Sequence, residues 1–132
     1  MRIPESIQWT LSVTVAGGPR KTESQTLPVD VYLKGQLQIA AASGATPGQA
    51  NFAAPSGGGT VRFVLISASR YDATPPLIYT VDDGSSVTLD GPHLLIGTGA
   101  VARLGTANLD FTFSNPTAQP VTVEVLIGRD AA

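Results

Sequence analysis

A chain of 132 residues without a cysteine can hold neither a disulfide framework nor a thiolate metal site, and at this length a single domain spanning residues 1–132 is expected. The formal net charge is −2 and the eight Lys and Arg are scattered, with only Arg20 and Lys21 adjacent, so the clustered basic surface that a nucleic-acid partner requires is missing. Charged residues make up 14% of the chain, against about 25% in an ordinary soluble domain, and mean hydropathy is positive at +0.16, so part of the surface is expected to face something other than water.

The opening, Met1 to Gln8, carries Arg2 and Glu5 and no apolar stretch, and nowhere do 18 apolar residues run together; neither a signal peptide nor a membrane span is expected. From Ile7 to Val15 the chain alternates without a break. Ile7, Trp9, Leu11, Val13 and Val15 fall on one face of a strand and Gln8, Thr10, Ser12 and Thr14 on the other, which predicts an apolar face turned to the core. Ala16-Gly17-Gly18-Pro19 ends this strand, and Arg20 to Ser24 reads as an exposed charged loop. A second alternating run places Leu27, Val29, Val31 and Leu33 inward with Pro28 opposite. Proline is tolerated there only at a strand start or on an edge, so Thr26 to Lys34 is expected to be an edge strand, with Leu37, Ile39 and Ala41 continuing the alternation.

Between Ala41 and Gly59 every residue but Thr46, Gln49, Asn51 and Phe52 is Ala, Gly, Ser or Pro, a composition that cannot bury enough apolar area to order itself. This segment is expected to be a flexible loop. It could order against a neighbouring subunit, with Phe52 as its large apolar anchor and Pro47 and Pro55 beside it. Thr60 to Ser67 is apolar on both faces after Arg62 and suits a central strand covered on both sides. Leu77 to Val81, Asp82-Asp83-Gly84-Ser85 and Val87 to Leu89 predict a hairpin. His93 to Ile96 is a buried-looking run, and Val101 to Leu104 is either a strand or a poor helical turn. The chain closes with Asn108 to Ser114 and Val121 to Arg129 flanking the turn Asn115 to Pro120. Leu109, Phe111 and Phe113 share one face of the first strand, and Val121, Val123, Val125 and Ile127 one face of the second. This pair is expected to form a hairpin whose inward face backs Ile7 to Val15 and whose outward face, with Asp110, Thr112, Ser114, Thr122 and Glu124, meets solvent. Eight or nine short strands with Gly and Pro punctuation, and no 3.6-residue periodicity, predict an all-β antiparallel sandwich of jelly-roll type rather than an immunoglobulin-like one.

Catalytic signatures are not found. His93, the only histidine, follows Pro92, and no Gly-x-Ser-x-Gly elbow occurs; a histidine at a strand edge bonded to a backbone group is expected. Asp82, Asp83 and Asp90 could offer oxygen ligands to calcium, and with Asp72 and Asp110 a carboxylate pair. The spacing fits no calcium loop, and aspartate is ordinary at turns. Gly57-Gly58-Gly59-Thr60 and Gly97-Thr98-Gly99 lack the remaining residues of phosphate and dinucleotide loops. No catalytic, metal or cofactor-binding residue is therefore assigned. Sugar rings stack on exposed aromatics, for which Tyr32, Tyr71 and Tyr79 are candidates, Trp9 being expected in the core.

The stretch from Tyr79-Thr80-Val81 to Leu89-Asp90-Gly91-Pro92-His93, the closing Phe113-Ser114-Asn115-Pro116 to Val123-Glu124-Val125-Leu126-Ile127-Gly128-Arg129-Asp130, and the cysteine-free, charge-poor texture resemble the decoration or cement proteins of tailed-phage virions. The resemblance implies a non-enzymatic bacteriophage structural protein, made in the host cytoplasm and placed on the capsid exterior. There it would bind and stabilise the major capsid protein shell as a homo-oligomer, a dimer or trimer, with no nucleic acid or membrane partner. Phe52, Pro47, Pro55, Pro28, Tyr32 and Tyr71 are the partner-contact candidates. The alternative is a carbohydrate- or receptor-binding β-sandwich, such as a tail-fibre tip or a lectin-like module.

Overall fold

The computed structural model describes residues 5–29, 31–53, 60–71, 75–82, 84–104 and 109–130. Ten strands lie within them, in chain order β1 (Glu5–Thr14), β2 (Arg20–Val29), β3 (Val31–Ile39), β4 (Gly48–Ala53), β5 (Val61–Ala68), β6 (Leu77–Val81), β7 (Val87–Leu89), β8 (His93–Ile96), β9 (Asp110–Asn115) and β10 (Val121–Arg129). A single helical turn, α1 (Thr98–Val101), continues into a 3-10 turn over Ala102–Leu104. The helical alternative for Val101 to Leu104 is the one observed, and Val101 and Leu104 both join the core.

Two four-stranded antiparallel sheets, ordered β3-β10-β5-β8 and β4-β9-β6-β7, face each other as a sandwich. The pairing is nested: β3 with β10, β4 with β9, β5 with β8 and β6 with β7. The eight strands thus behave as one long antiparallel ribbon folded over on itself, closed by the further pairs β10 with β5 and β6 with β9. The closing strands are consequently not a hairpin. β9 and β10 lie in different sheets, and the Asn115 to Pro120 turn carries the chain across the sandwich.

The sheets contribute different chemistry to the core. From β4, β6 and β9 come Phe52, Tyr79, Phe111 and Phe113, with ring centroids 5.6 to 6.5 Å apart, and from the opposing sheet come Ile39, Val64, Ile66, Val121, Val123, Val125 and Ile127, none more than 1% exposed. Flat rings against branched aliphatics fill the space between two pleated faces, and the aromatic pairs add about 1 kcal/mol each beyond their buried area.

Three expectations are corrected here. Arg20 to Ser24 is exposed as expected, but it is strand, paired residue for residue with Thr10 to Thr14. The segment 41–59, expected as a loop, contains β4, hydrogen-bonded along its length to β9. Its small side chains suit it to an edge strand, where backbone pairing rather than burial supplies order. Phe52 is its packing residue, lying over Gly35 of β3, where a Cβ would collide with the ring. Replacing Gly35 with alanine is expected to push Phe52 out of the core and cost about 1 to 3 kcal/mol, read as a lowered urea midpoint. Finally, the Thr26 to Lys34 edge is two strands, the end of β2 and the start of β3, each of them the edge of its own sheet.

The sandwich has a third layer. β1 and β2 form a separate two-stranded ribbon that lies on the outer face of the β3-β10-β5-β8 sheet. Ile7, Trp9, Leu27 and Val29 pack there with Phe63 and Leu65 of β5, Leu94 and Ile96 of β8, and Leu126 of β10. β5, apolar on both faces, is covered on both, as its sequence required. The ribbon sits against Gly128, where a Cβ would come 2.5 Å from Ile7 Cδ1 and 3.1 Å from Val29 Cγ1. The first strand is therefore backed by the outward face of β10, not the inward face that its neighbouring alternation suggested. That outward face is polar only at Thr122 and Glu124, before Leu126 and Gly128 take over.

Candidate interaction surface

The ribbon is longer than the sheet it lies on. Ile7 and Trp9 are half-buried at its base, but the same face continues through Leu11, Val13 and Val15, which are 43%, 51% and 54% exposed. Gly17, with φ of +72°, and the backbone bonds from Val15 N to Pro19 O and from Gly18 N to Val15 O close its tip. Because residues directly opposite in an antiparallel pair share a face, Glu23 stands beside Leu11 and Lys21 beside Val13. Lys21 Nζ and Glu23 Oε1 are 3.5 Å apart in a solvated ion pair that adds little stability. The distal arm is thus an apolar row flanked by one charge of each sign.

Among the sequence-derived candidates, Tyr32 is on the outer face of edge strand β3 and 54% exposed. Pro28 lies in β2 opposite Ser6. Phe52 is turned into the core, and Pro47 precedes β4, half-buried. Tyr71 is partly buried against the core, and its hydroxyl accepts a hydrogen bond from Ala68 N at 3.0 Å. Pro55, Asp72 and Asp83 lie outside the described residues. Among the described side chains, Phe52 and Tyr32 lie on opposite faces of the β3-β10-β5-β8 sheet. The exposure of Leu11, Val13 and Val15 is not legible in period-two alternation, which marks one face of a strand and carries no information on how far the surface beneath it extends.

The polar groups chemically suited to catalysis or metal binding are engaged structurally. His93 bonds to a side chain, not the backbone: its Nδ1 is 2.8 Å from Tyr79 Oη. Burial pushes the Tyr79 hydroxyl up to about 12 from its ordinary 10, because the phenolate would lose hydration. The folded state therefore holds this proton where the unfolded chain has released it, and the resulting stability is complete below about pH 10 and lost as pH rises through about 12. Wild-type stability in urea is expected to fall by about 2 kcal/mol more than that of Tyr79→Phe over this interval, although the variant starts about 1 kcal/mol lower for want of the His93 bond. Asp82, at φ of +53°, accepts from Asp110 N at 3.1 Å and fixes the turn after β6. Asp110 in turn accepts from Asn51 Nδ2 at 2.6 Å across β4 and β9. Among the described residues no three His, Cys, Asp or Glu side chains are grouped to hold a metal ion.

One other surface feature is a shallow groove of about 400 Å³ on the uncovered part of the outer sheet, lined by Gln36, Ser67, Ala68, Ser69, Thr122 and Glu124. No family model, curated protein or solved structure matches the chain.

Proposed function

We propose that this chain is a non-enzymatic assembly protein, a decoration or cement protein that binds the outside of a virion shell and stabilises its major capsid protein as a homo-oligomer. The observation that carries the reading is the distal arm, whose exposed apolar row on an otherwise charge-poor chain is a liability in solution and an asset at an interface. The nested strand order, read as a jelly roll, supports it: two packed sheets give a stiff block from which an arm can reach. A buried core of rings and aliphatics supplies rigidity, which is what a cement protein contributes. Sedimenting purified particles and quantifying their proteins tests the proposal. The chain is expected at a fixed ratio to the main shell protein; its absence from particles would overturn the reading.

The second reading, a carbohydrate-binding module, is favoured by the groove, where an amide, three hydroxyls and a carboxylate converge in the manner of sugar-hydroxyl partners. A glycan array that stays silent would remove it.

A further inference from the structure

We infer that this chain dimerises by pairing the free edge of β3 with the same edge of a second copy, an inference that rests on the proposed homo-oligomer and leaves the arm free for the shell. Among the described residues the two four-stranded sheets have four edge strands. β7 and β8 have three and four residues and β4 has six, whereas β3 has nine and contains no proline. Its one charge, Lys34, is on the outer face, where it does not block a neighbour in the plane of the sheet. Tyr32, Lys34, Gln36 and Gln38 are all exposed, so the ribbon does not cover this edge. On the inner face Leu33, Leu37 and Phe52 are only partly buried, which leaves the rim of the core along β3 open to cover. A further strand meets both needs, giving backbone partners to the edge and apolar cover to the rim. The sequence of β3 fits its own copy. A two-fold axis perpendicular to the sheet at Gly35 sets the copies antiparallel and pairs the strand over its whole length, with Val31 opposite Ile39, Tyr32 opposite Gln38, Leu33 opposite Leu37 and Lys34 opposite Gln36. Leucine then meets leucine on the inner face, and the two Phe52 rings, each lying over a Gly35, come to either side of the axis. Lys34 faces a neutral amide, and Glu124, the cross-strand neighbour of that Gln36, stands next in the row. An axis one residue earlier would set Lys34 against Lys34 and shorten the overlap.

The contact is small, so association in the micromolar range is expected rather than the nanomolar affinity of large obligate dimers. The full chain has no cysteine, which makes the register testable by cross-linking. Tyr32 and Gln38 are about 20 Å apart along one strand but directly opposite across the axis. Under mild oxidation Tyr32→Cys/Gln38→Cys is expected to give a disulfide-linked dimer, as is an equimolar mixture of the two single variants, while neither single variant cross-links alone. In sedimentation equilibrium wild type is expected to dimerise. Gln36→Lys, which sets lysine against Lys34 of the second copy, is expected to weaken association about tenfold, and adding Lys34→Glu to restore it. These positions are exposed, so the variants are expected to keep the wild-type melting transition. A wild type that remains monomeric up to about 1 mM, or a Tyr32→Cys/Gln38→Cys variant that cross-links no more than the single variants, would overturn the β3 pairing. Monomeric protein that is still found on particles would sink this inference and leave attachment to the shell standing; dimers that are absent from particles would do the reverse.

Discussion

Gly128→Val is expected to lift the N-terminal ribbon off the sandwich while leaving the eight-strand body folded. Position 128 is in the middle of the outer sheet, between Tyr32 of β3 and Phe63 of β5, and its missing side chain is the space that Ile7 and Val29 occupy. Valine has a higher strand propensity than glycine, so the backbone itself favours the exchange. The loss comes from the collision, since the added carbons cannot coexist with Ile7 Cδ1 at its present position. The ribbon must shift outward, exposing Phe63, Leu65 and Trp9. A cost of about 2 to 4 kcal/mol is expected, and Gly128→Ala should show a smaller part of it. Trp9 is the only tryptophan, which makes its emission a direct reporter. A red shift in Gly128→Val with an intact cooperative transition is the expected outcome, and unchanged Trp9 emission would refute the packing described. Trp9 Nε1 is buried without a hydrogen-bond partner among the described residues, so exposing it recovers some hydration and moderates the cost.

The second large effect is expected at Asn115. It is the one fully buried polar side chain among the described residues, at 0% exposure, and it holds the crossing between the two sheets. Its Nδ2 donates toward Gln119 O at 2.8 Å, Ala40 O at 3.1 Å and Ile39 O at 3.4 Å, while its Oδ1 accepts from Thr117 N at 3.0 Å and Thr117 Oγ1 at 2.7 Å. The turn after β9 and the end of β3 are thus tied through one amide. Asn115→Leu removes donor and acceptor together and leaves several backbone groups buried without partners. About 3 to 5 kcal/mol is expected to be lost, which lowers the melting temperature by about 10 to 15 °C in a domain of this size. Asn115→Asp should be nearly as damaging, because a carboxylate cannot donate to three carbonyls. A loss below about 1 kcal/mol in the leucine variant would show that the turn is held by its prolines and backbone bonds instead.

The legibility of this fold in its sequence differs from element to element for physical reasons. β5 reads correctly because a run apolar on both faces has only one stable environment, the middle of a layered structure. The β6 and β7 pair reads correctly because Asp82 and Gly84 sit between two short alternating runs, and their backbone geometry closes the turn. β9 and β10 are equally clear as strands, yet their partners are not, since alternation reports which residues are buried and says nothing of whether the next strand joins the same sheet or the facing one. The deciding feature is Asn115, a polar residue in phase with Phe111 and Phe113, hence turned inward, where it takes partners from the end of β3 and from the turn after β9. β4 is hidden because edge pairing with β9 asks little of its side chains beyond Phe52. Gly35, which Phe52 needs, is distant in the chain. The arm is half legible. Its alternation from Ile7 to Val15 is perfect, but the length of the surface beneath it is a property of the other sheet. The sequence could have raised the question through Arg20 to Ser24, because a charged partner strand with no apolar row of its own is a poor core element.

The claim on which the rest depends is that the distal arm is an assembly interface. The direct measurement is the amount of this chain, relative to the main shell protein, in particles purified from wild type and from a Leu11→Asp/Val13→Asp double variant, with the variant's melting transition checked in parallel. A fixed ratio is expected for wild type and loss of at least about nine-tenths of it for the folded variant, because two carboxylates in place of the apolar row would have to be desolvated at the contact. Equal occupancy of wild type and variant would contradict it.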